Sequence, residues 1–486
     1  MDERLPPPPP PSATPPAARP PAARPPAAPG SSAASSPARA RRVALRVARV
    51  AAPVVLAFAA GMAVEGRRAE ATPTEASPYA VTGELARVLV VMERSYVDPV
   101  DRDKALRGAI TGMVASLDPH SHYLSAPEYK DFQRDTEGNF GGIGVEVDAR
   151  GDEIKVLAPI EGAPASRAGI RAGDVIVAVD GAGVREAGLE KVIKKLRGPA
   201  GTKVRLNVRR EGTRGFLSFE LVREDIHVPA VTHKRLDGNV GYLRLKQFQD
   251  HAHDELLRAA GELRKGGPVA GVLLDLRNNP GGLVDEAAEI ADEFLESGLI
   301  YSMRRRGETL EEARAKSGGA FVSVPVVVLV NEWSASASEL LTGALQDHKR
   351  AMVVGAATFG KGSVQTILSL PDSAGLKLTT ARYFTPGGHA IQADGIHPDV
   401  LLESTTRIAG DAGAPALRER DLENHLPPEG PLGGAPPSAR DAGTLVDGGP
   451  GAEALLVSDV PTDPTTSKDL ALRTGYQLLR SKIEGR

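Results

Sequence analysis

The sequence contains no cysteine among its 486 residues, which excludes a thiol nucleophile, a disulfide framework and cysteine-ligated zinc. Aromatic residues make up only 4% of the chain, so a platform for stacking single-stranded nucleic acid is not expected. No excess of one charge exists either, because 59 Lys and Arg face 62 Asp and Glu and the formal charge is −3. Such a balance gives no surface for duplex nucleic acid. The length suffices for two or three domains.

The amino-terminal part has little from which a folded core could form. Residues 1–40 are rich in proline, alanine and arginine, which predicts a disordered, extended tail. Several arginines between positions 39 and 49 then precede an apolar run at residues 50–64. This pattern predicts a signal peptide or signal anchor within residues 41–71 and export to the bacterial cell envelope. The protein would then be periplasmic, or anchored to the inner membrane by residues 43–64, its only expected membrane contact.

The remaining chain divides into five regions that differ in composition and in the spacing of their apolar residues. Apolar residues at helical spacing predict a helical segment over residues 78–135. Short strands, glycine turns and a helix at 189–196 predict a small β-rich domain over residues 137–224. Strands alternating with helices predict an α/β core over residues 225–404. Residues 405–464 have the composition of a linker, and residues 465–486 predict a carboxy-terminal helix.

The β-rich stretch resembles a PDZ domain. The resemblance is carried by the loop Gly141-Gly142-Ile143-Gly144 and by the run from residue 162 to residue 181. In such a loop, consecutive backbone N–H groups bind the terminal carboxylate of a peptide, and the peptide adds a strand to the sheet edge. The resemblance therefore implies peptide binding by Gly141, Gly142, Ile143 and Gly144. The alternative is a glycine-rich hairpin without a binding role.

A serine-rich stretch at residues 331–339 follows a predicted strand and opens a predicted helix. Free N–H groups at a helix amino terminus stabilise negative charge that develops on a nearby group. Each of Ser334, Ser336 and Ser338 could instead cap the helix, so position alone does not identify a nucleophile. The spacing is not the Gly-x-Ser-x-Gly elbow of α/β-hydrolases.

Lys361 is the candidate base, because none of the ten histidines is obviously paired with an acid and this serine loop. Glycines flank it, and Gln365 shares its face if the segment is extended. A neutral amine would require burial to lower the lysine pKa to roughly 7–8; a solvated loop lysine is the alternative. The glycines of the turn at residues 275–282 could form an oxyanion hole together with the Ala337 N–H. Taken alone, this turn is more typical of an ordinary connection from a strand to a helix.

With Ser116-Leu117-Asp118-Pro119-His120-Ser121, these motifs make residues 80–404 resemble the carboxy-terminal processing proteases, tail-specific serine peptidases of the S41 family that contain a PDZ domain. The resemblance implies that Ser336 is the nucleophile, that Lys361 is the general base and that Gln365 positions the lysine. It also implicates Ala337 with Gly281 or Gly282 as oxyanion donors.

The implied fold is an α/β core of crotonase/Clp-protease-like ββα units with an inserted PDZ domain. The implied reaction passes through an acyl-enzyme and uses no metal or organic cofactor. Expected partners are proteins or peptides with exposed, apolar carboxyl termini, together with an adaptor or activator.

The sequence also offers two other functions, nucleotide hydrolysis and non-catalytic binding of carboxyl termini. Residues 355–362 approach the phosphate-binding loop Gly-x4-Gly-Lys-Ser/Thr, but Gly362 occupies the position of the magnesium-binding hydroxyl and a strand is predicted where a helix should begin. Nucleotide hydrolysis is therefore not expected. A non-catalytic PDZ adaptor would bind carboxyl termini but would not need Ser336, Lys361 and Gln365 together.

Overall fold

The computed structural model describes residues 82–150, 153–184, 189–402, 417–429 and 459–485. The predicted tail and the predicted export segment lie outside these residues. The chain divides into one unit that ends at Val100 and a second that begins at Asp101. In the first unit, helix α1 (Thr82–Ser95) follows the predicted helical periodicity and has no buried residue. Across the described parts of the chain, no helix combines the length and the apolar character required to cross a bilayer.

The second unit begins with two helices separated by a short strand, β1. The sequence Asp118-Pro119 ends the first of these helices, as predicted, and the Asp118 carboxylate accepts the backbone N–H groups of His120 and Ser121. A proline disfavours the helical conformation of the residue before it, and an aspartate that accepts nearby N–H groups stabilises a turn. The elements are α2 (Arg102–Ala115), β1 (His122–Leu124) and α3 (Ala126–Thr136).

The PDZ region contains a five-stranded path in the order β3-β4-β5-β7-β8, with β6 paired to β5. Its core is apolar and includes Ile154, Val156, Ile176 and Leu206. A separate two-stranded ladder of β2 with β9 precedes and follows this sheet. The elements are β2 (Asn139–Gly142), β3 (Val145–Arg150), β4 (Glu153–Pro159), α4 (Pro164–Arg167), β5 (Val175–Val179), β6 (Ala182–Gly183), α5 (Leu189–Leu196), β7 (Lys203–Arg209), β8 (Leu217–Val222) and β9 (Glu224–His227).

The α/β core is built on a six-stranded sheet in the order β10-β11-β12-β15-β16-β19. Strand β10 is antiparallel to β11, and the remaining pairs are parallel. Helices that connect parallel strands cover the sheet, which explains its nearly continuous apolar strands. The elements are β10 (Val231–Leu236), β11 (Val240–Leu245), α6 (Ala252–Lys265), β12 (Gly271–Asp275), α7 (Val284–Asp292), β15 (Val326–Val330), α8 (Ala337–Asp347), β16 (Ala351–Gly355) and β19 (Val400–Leu401).

A second core sheet contains the segment that follows Lys361. Its order is β1-β18-β13-β14, and β17 pairs with β18. Because β1 pairs with β18, the segment before the PDZ region in the chain is joined to a strand that follows Lys361. The strands are β13 (Gly298–Arg305), β14 (Glu308–Ala315), β17 (Ser363–Ser369) and β18 (Gly375–Phe384).

The carboxy-terminal part departs from a linker in one stretch. Within the predicted linker at 405–464, residues 417–429 pack on the core, and Glu419 is fully buried. The backbone N–H of Glu419 donates to the carbonyl of Phe359 at 3.2 Å. Helix α9 (Leu470–Ile483) then covers the open face of the six-stranded sheet, where its Tyr476 and Leu479 join the apolar cluster of that face. The packing of residues 417–429 on the core was not predicted, because this segment has few apolar residues and is held by polar contacts.

Candidate active site

The predicted nucleophile Ser336 lies where a buried strand turns into a helix. It directly precedes α8 and has φ 56° and ψ −115°. This left-handed region suits glycine and costs another residue about 1–3 kcal/mol. A Cβ added to Gly281 would lie 2.8 Å from the Ser336 Cβ. Gly281 therefore permits the turn at residues 275–282 to approach the serine backbone closely.

The three serines of the loop have different surroundings. The Ser334 hydroxyl donates to the carbonyl of Leu276 at 2.9 Å, and the Ser338 hydroxyl donates to the carbonyl of Asn279 at 3.0 Å. Both serines are fully buried, whereas Ser336 is half-buried and lines the large cavity of the core. Ser334 and Ser338 thus attach the serine loop to the neighbouring turn. Ser336 alone of the three is on the cavity wall.

Lys361 lines the same cavity from the loop between β16 and β17. Burial lowers the pKa of its amine to about 8, and the nearby positive charge of Lys377 contributes to the decrease. Opposing this, the carboxylates of Glu419, Glu339 and Asp118 favour the charged amine. A substantial fraction of the amine is therefore neutral at mildly alkaline pH, which is the state that a general base requires.

Gln365 is the third predicted residue on the cavity wall. Its amide nitrogen donates to the Ser363 hydroxyl at 2.9 Å and to the Thr379 hydroxyl at 3.3 Å. Thr379 in turn donates to the carboxylate of Asp118 at 3.0 Å. The amide nitrogen is thus occupied, and the acceptor oxygen of Gln365 is left for other partners. The motif before the PDZ region supports this arrangement through Asp118.

The cavity has a volume of about 570 Å³ and combines apolar walls with charged groups. Phe248, Val364 and Tyr383 contribute apolar surface, and Lys377 lies near the ring of Phe132. Such a cleft can accommodate peptide side chains beside a reacting carbonyl. Among the residues with described positions, no group of three or more His, Asp or Glu side chains is arranged to bind a metal ion.

The predicted oxyanion donors lie around Ser336 but differ in their contacts. Gly281 and Gly282 line the cavity, and Ala337 is the first residue of α8 and is buried. The Gly281 N–H donates to the Asn279 side chain at 2.9 Å. The Ala337 N–H belongs to the first turn of a helix, where no intrahelical acceptor exists. This geometry favours Ala337 over Gly281 as a donor, and both roles stay predictions.

The four predicted peptide-binding residues fall into two places. Gly141 and Gly142 belong to β2 and pair with β9, so they form part of the ladder beside the PDZ sheet. Ile143 and Gly144 form the turn into β3, with Gly144 at φ 71°. A Cβ added to Gly144 would lie 2.2 Å from the Ala163 Cβ. This turn requires glycine, and it leads into a strand at the edge of the described sheet.

Sequence reasoning assigned no role to two buried carboxylates behind the lysine loop, those of Glu419 and Glu339. The Glu419 carboxylate contacts the His120 ring at 2.7 Å and accepts the Gln392 amide at 2.8 Å. Glu339 accepts the backbone N–H of Ser336 from the serine loop and that of Lys361 from the lysine loop. The spacing Ser336-x-x-Glu339 is that of a helix capping box, which was a usable signal for Glu339. Glu419 had no such signal, because it lies in a stretch with linker composition.

A half-exposed serine at a helix amino terminus, a buried amine and an adjacent PDZ domain together define a serine peptidase. Residues 239–402 match peptidase family S41, residues 155–210 match a PDZ domain, and residues 62–127 match the N-terminal domain of the activating protease CtpB. The chain belongs to the carboxy-terminal processing proteases, the PDZ-containing serine peptidases of family S41. The predicted enzyme class and fold class are thereby confirmed.

Relatives found by sequence support this assignment. The carboxy-terminal-processing protease of Bartonella bacilliformis is 40% identical over 407 residues, which cover 82% of this chain and 89% of that protein. A probable CtpA-like serine protease of Staphylococcus aureus is 39% identical over 324 residues, or 66% of this chain and 64% of that protein. Among solved structures, the photosystem II D1 C-terminal processing protease is 33% identical and covers 65% of this chain and 91% of its own, with a TM-score of 0.43.

Proposed function

We propose that the protein cleaves peptide bonds with Ser336 as nucleophile and Lys361 as general base, after its PDZ domain has bound the substrate's carboxyl terminus. The observation that carries this proposal is the shared cavity. Ser336, Lys361 and Gln365 line it together, whereas the hydroxyls of Ser334 and Ser338 donate to backbone carbonyls. Burial also lowers the pKa of Lys361 to about 8, which supports its role as a base.

The reaction divides into two halves. As the Ser336 oxygen attacks the scissile carbonyl, its proton passes to the neutral amine of Lys361. The peptide C–N bond breaks, and the leaving amine takes that proton, which leaves an ester on Ser336. Water then attacks the ester as Lys361 accepts a proton from it. The C–O bond to Ser336 breaks, Lys361 returns the proton to the serine oxygen, and the acid product is released. The Ala337 N–H, with a glycine of the turn at residues 275–282, would stabilise the negative oxygen of each tetrahedral intermediate.

Substrate capture is assigned to β3 and the turn that precedes it. Strand β3 lies at the edge of the described PDZ sheet, so its outer backbone groups can pair with an added strand. The PDZ core behind it is apolar. Substrates are therefore expected to be proteins with an exposed, apolar carboxyl terminus, supplied directly or by an adaptor or activator.

The test compares the full-length protein with Ser336→Ala, Lys361→Ala and Ser334→Ala. The substrate is an unfolded protein with an apolar carboxyl terminus, and mass spectrometry identifies the fragments. We expect cleavage by the wild type and by Ser334→Ala, and none by the other two. Cleavage by Ser336→Ala would reject the assigned nucleophile. Binding of the carboxyl terminus without cleavage by the wild type would favour a PDZ adaptor or the need for an activator.

We further propose that the enzyme acts in the bacterial cell envelope. The support comes from the arginines at residues 39–49 and the apolar run at residues 50–64. Fusing residues 1–80 to a reporter that is active only outside the cytoplasm tests the idea. Activity is expected, and replacing several of the apolar residues by aspartate should abolish it. A reporter that stays inactive would contradict export.

A further inference from the structure

We propose that Glu339 is a positioning residue whose single carboxylate fixes the predicted nucleophile and the predicted base relative to one another. The inference rests on the proposed function, because it gives Glu339 a task only if Ser336 and Lys361 react together. Glu339 is in the first turn of α8 and is completely buried. It does not line the cavity as described, so its action on the reaction is indirect.

One oxygen of the carboxylate connects the two catalytic residues directly. The Ser336 backbone N–H donates to Oε2 of Glu339 at 2.7 Å, and the Lys361 backbone N–H donates to the same oxygen at 2.9 Å. The two donors come from different loops, one before α8 and one before β17. The shared acceptor therefore sets the distance between the backbones of the two residues. Their separation along the chain is too large to fix that distance.

The other oxygen holds the lysine loop at two more points. The Gly360 N–H donates to Oε1 at 2.6 Å, and the Thr358 hydroxyl donates to it at 2.5 Å. Thr358 is itself fixed, because its hydroxyl accepts the N–H of Ile396 at 2.7 Å. Four donors thus converge on one carboxylate. Only the ionised form can accept all four, since a protonated oxygen would direct a hydrogen against one of them.

The backbone of Ser336 explains why such support is needed. Its φ of 56° and ψ of −115° are costly for a residue with a side chain. The bond from its N–H to Glu339 helps to keep this conformation, and the conformation directs the hydroxyl toward the cavity. Without the carboxylate, the strained peptide could relax and the serine would move relative to the lysine.

A capping box elsewhere in the chain shows what an ordinary helix cap does. In α3, Glu128 accepts the N–H and the hydroxyl of Ser125 and is exposed. These contacts are local and connect no second loop. Glu339 has the same position in its helix but reaches residues 19 to 22 positions further along the chain. Glu128→Gln is therefore a matched control: it makes the same change of charge in an ordinary capping box, which glutamine can still form, without disturbing the serine loop or the lysine loop.

The decisive variant is Glu339→Gln in the full-length protein. Glutamine keeps the size, but its NH2 group must face two of the four donors, whichever way the amide is oriented. We expect kcat to fall about 10- to 100-fold, because small misplacements of reacting groups lower the rate by such factors. KM and the binding of a carboxy-terminal peptide by the PDZ domain should change little. Glu128→Gln should retain the kcat of the wild type. A wild-type kcat in Glu339→Gln would overturn the proposal.

The pH profile separates positioning from general stabilisation. Activity should rise with pH as both Glu339 and Lys361 lose their protons, because burial raises the pKa of Glu339 to about 7 and lowers the pKa of Lys361 to about 8. The charges that act on Lys361 are Lys377, Glu419, Glu339 and Asp118. Removing the negative charge of Glu339 should move this midpoint to lower pH. Glu339→Asp keeps the charge, so it should keep the midpoint while kcat recovers in part. An unmoved midpoint in Glu339→Gln, with a loss of kcat that follows the loss of folded protein, would indicate only a structural role.

The same assay distinguishes this inference from the proposed function. Activity in Ser336→Ala or Lys361→Ala would reject the catalytic assignment itself. If both are inactive and Glu339→Gln is fully active, only the role of Glu339 fails. Should Glu339→Gln not fold, Glu339→Asp decides, because its shorter side chain cannot reach all four donors. A wild-type kcat in Glu339→Asp would then overturn the proposal.

Discussion

The PDZ sheet and the six-stranded sheet of the core differ in how far their strands are buried. Strands β4 and β7 of the PDZ sheet alternate between buried and exposed residues. Strands β12 and β15 of the core are buried at every position. The PDZ sheet also keeps β3 at an edge, where the pairing can be extended. Both sheets have edge strands, so the difference lies in burial: the core strands are enclosed on both faces and hold the loops at their ends, whereas the PDZ sheet has exposed positions and an edge strand, β3, next to the glycine turn.

Replacing the base should break the core's function most severely. Lys361→Arg keeps a positive charge that cannot be removed near neutral pH, so we expect kcat/KM to fall about 10²- to 10⁴-fold. In the wild type, kcat/KM should rise with pH up to about 8, because burial has lowered the pKa of Lys361 to that value and only the neutral amine accepts a proton. Initial rates between pH 6 and pH 9 measure both effects. A wild-type profile that is flat across this range would contradict the role of Lys361.

The rigidity of the core should depend on a buried ion pair between Asp469, which caps the amino terminus of α9, and Arg277 in the turn at residues 275–282. Asp469 accepts two bonds from Arg277 at 2.9 and 2.8 Å and also accepts the N–H of Leu472. Asp469→Ala should lower the free energy of unfolding by about 3 kcal/mol or more, because it leaves a buried cation partly unpaired. Urea unfolding measures the change.

Asp463→Ala is the control for that prediction. Asp463 also accepts a backbone N–H, that of Thr465, but it lies on the surface near α9. A much smaller loss is expected there, because Asp463 forms only a local cap on the surface. Equal losses in the two variants would show that the buried pair contributes nothing special.

Substitution in the PDZ domain should have the smallest effect and should change binding rather than chemistry. Gly144→Ala combines a positive φ with a contact of 2.2 Å to Ala163, which should displace the turn before β3. We expect KM for a protein substrate to rise about tenfold, or 1.4 kcal/mol, with kcat unchanged. Gly181 has a φ of 79° and open space around its Cβ position, so Gly181→Ala tests backbone strain alone. A fall in kcat with unchanged KM in Gly144→Ala would contradict the division of labour.

Motifs with local chemistry were predictable from the sequence, and contacts between distant segments were not. The strand before the serine loop and the helix after it match the prediction. Ser336, Lys361 and Gln365 line one cavity, and their catalytic roles stay predictions. Periodicity and glycine spacing carry that information. The predicted linker was wrong for residues 417–429, since a buried Glu419 packs by polar contacts that hydropathy does not register. Placing Gly141 and Gly142 in β2 likewise depends on a partner strand more than 80 residues away.

The contact between His120 and Glu419 joins residues 299 positions apart. It can therefore form only late in the synthesis of the chain. A ribosome will have completed Ser336 and Lys361 before it adds Gln392, which accepts the Gly362 N–H, and Glu419, which holds Gln392. Contacts of such long range form late, after the segments between them have been ordered. We therefore expect a nascent chain to carry its reactive residues in an unassembled state. Hydrolytic activity would then begin only after the last folding steps, which limits damage to neighbouring proteins during synthesis.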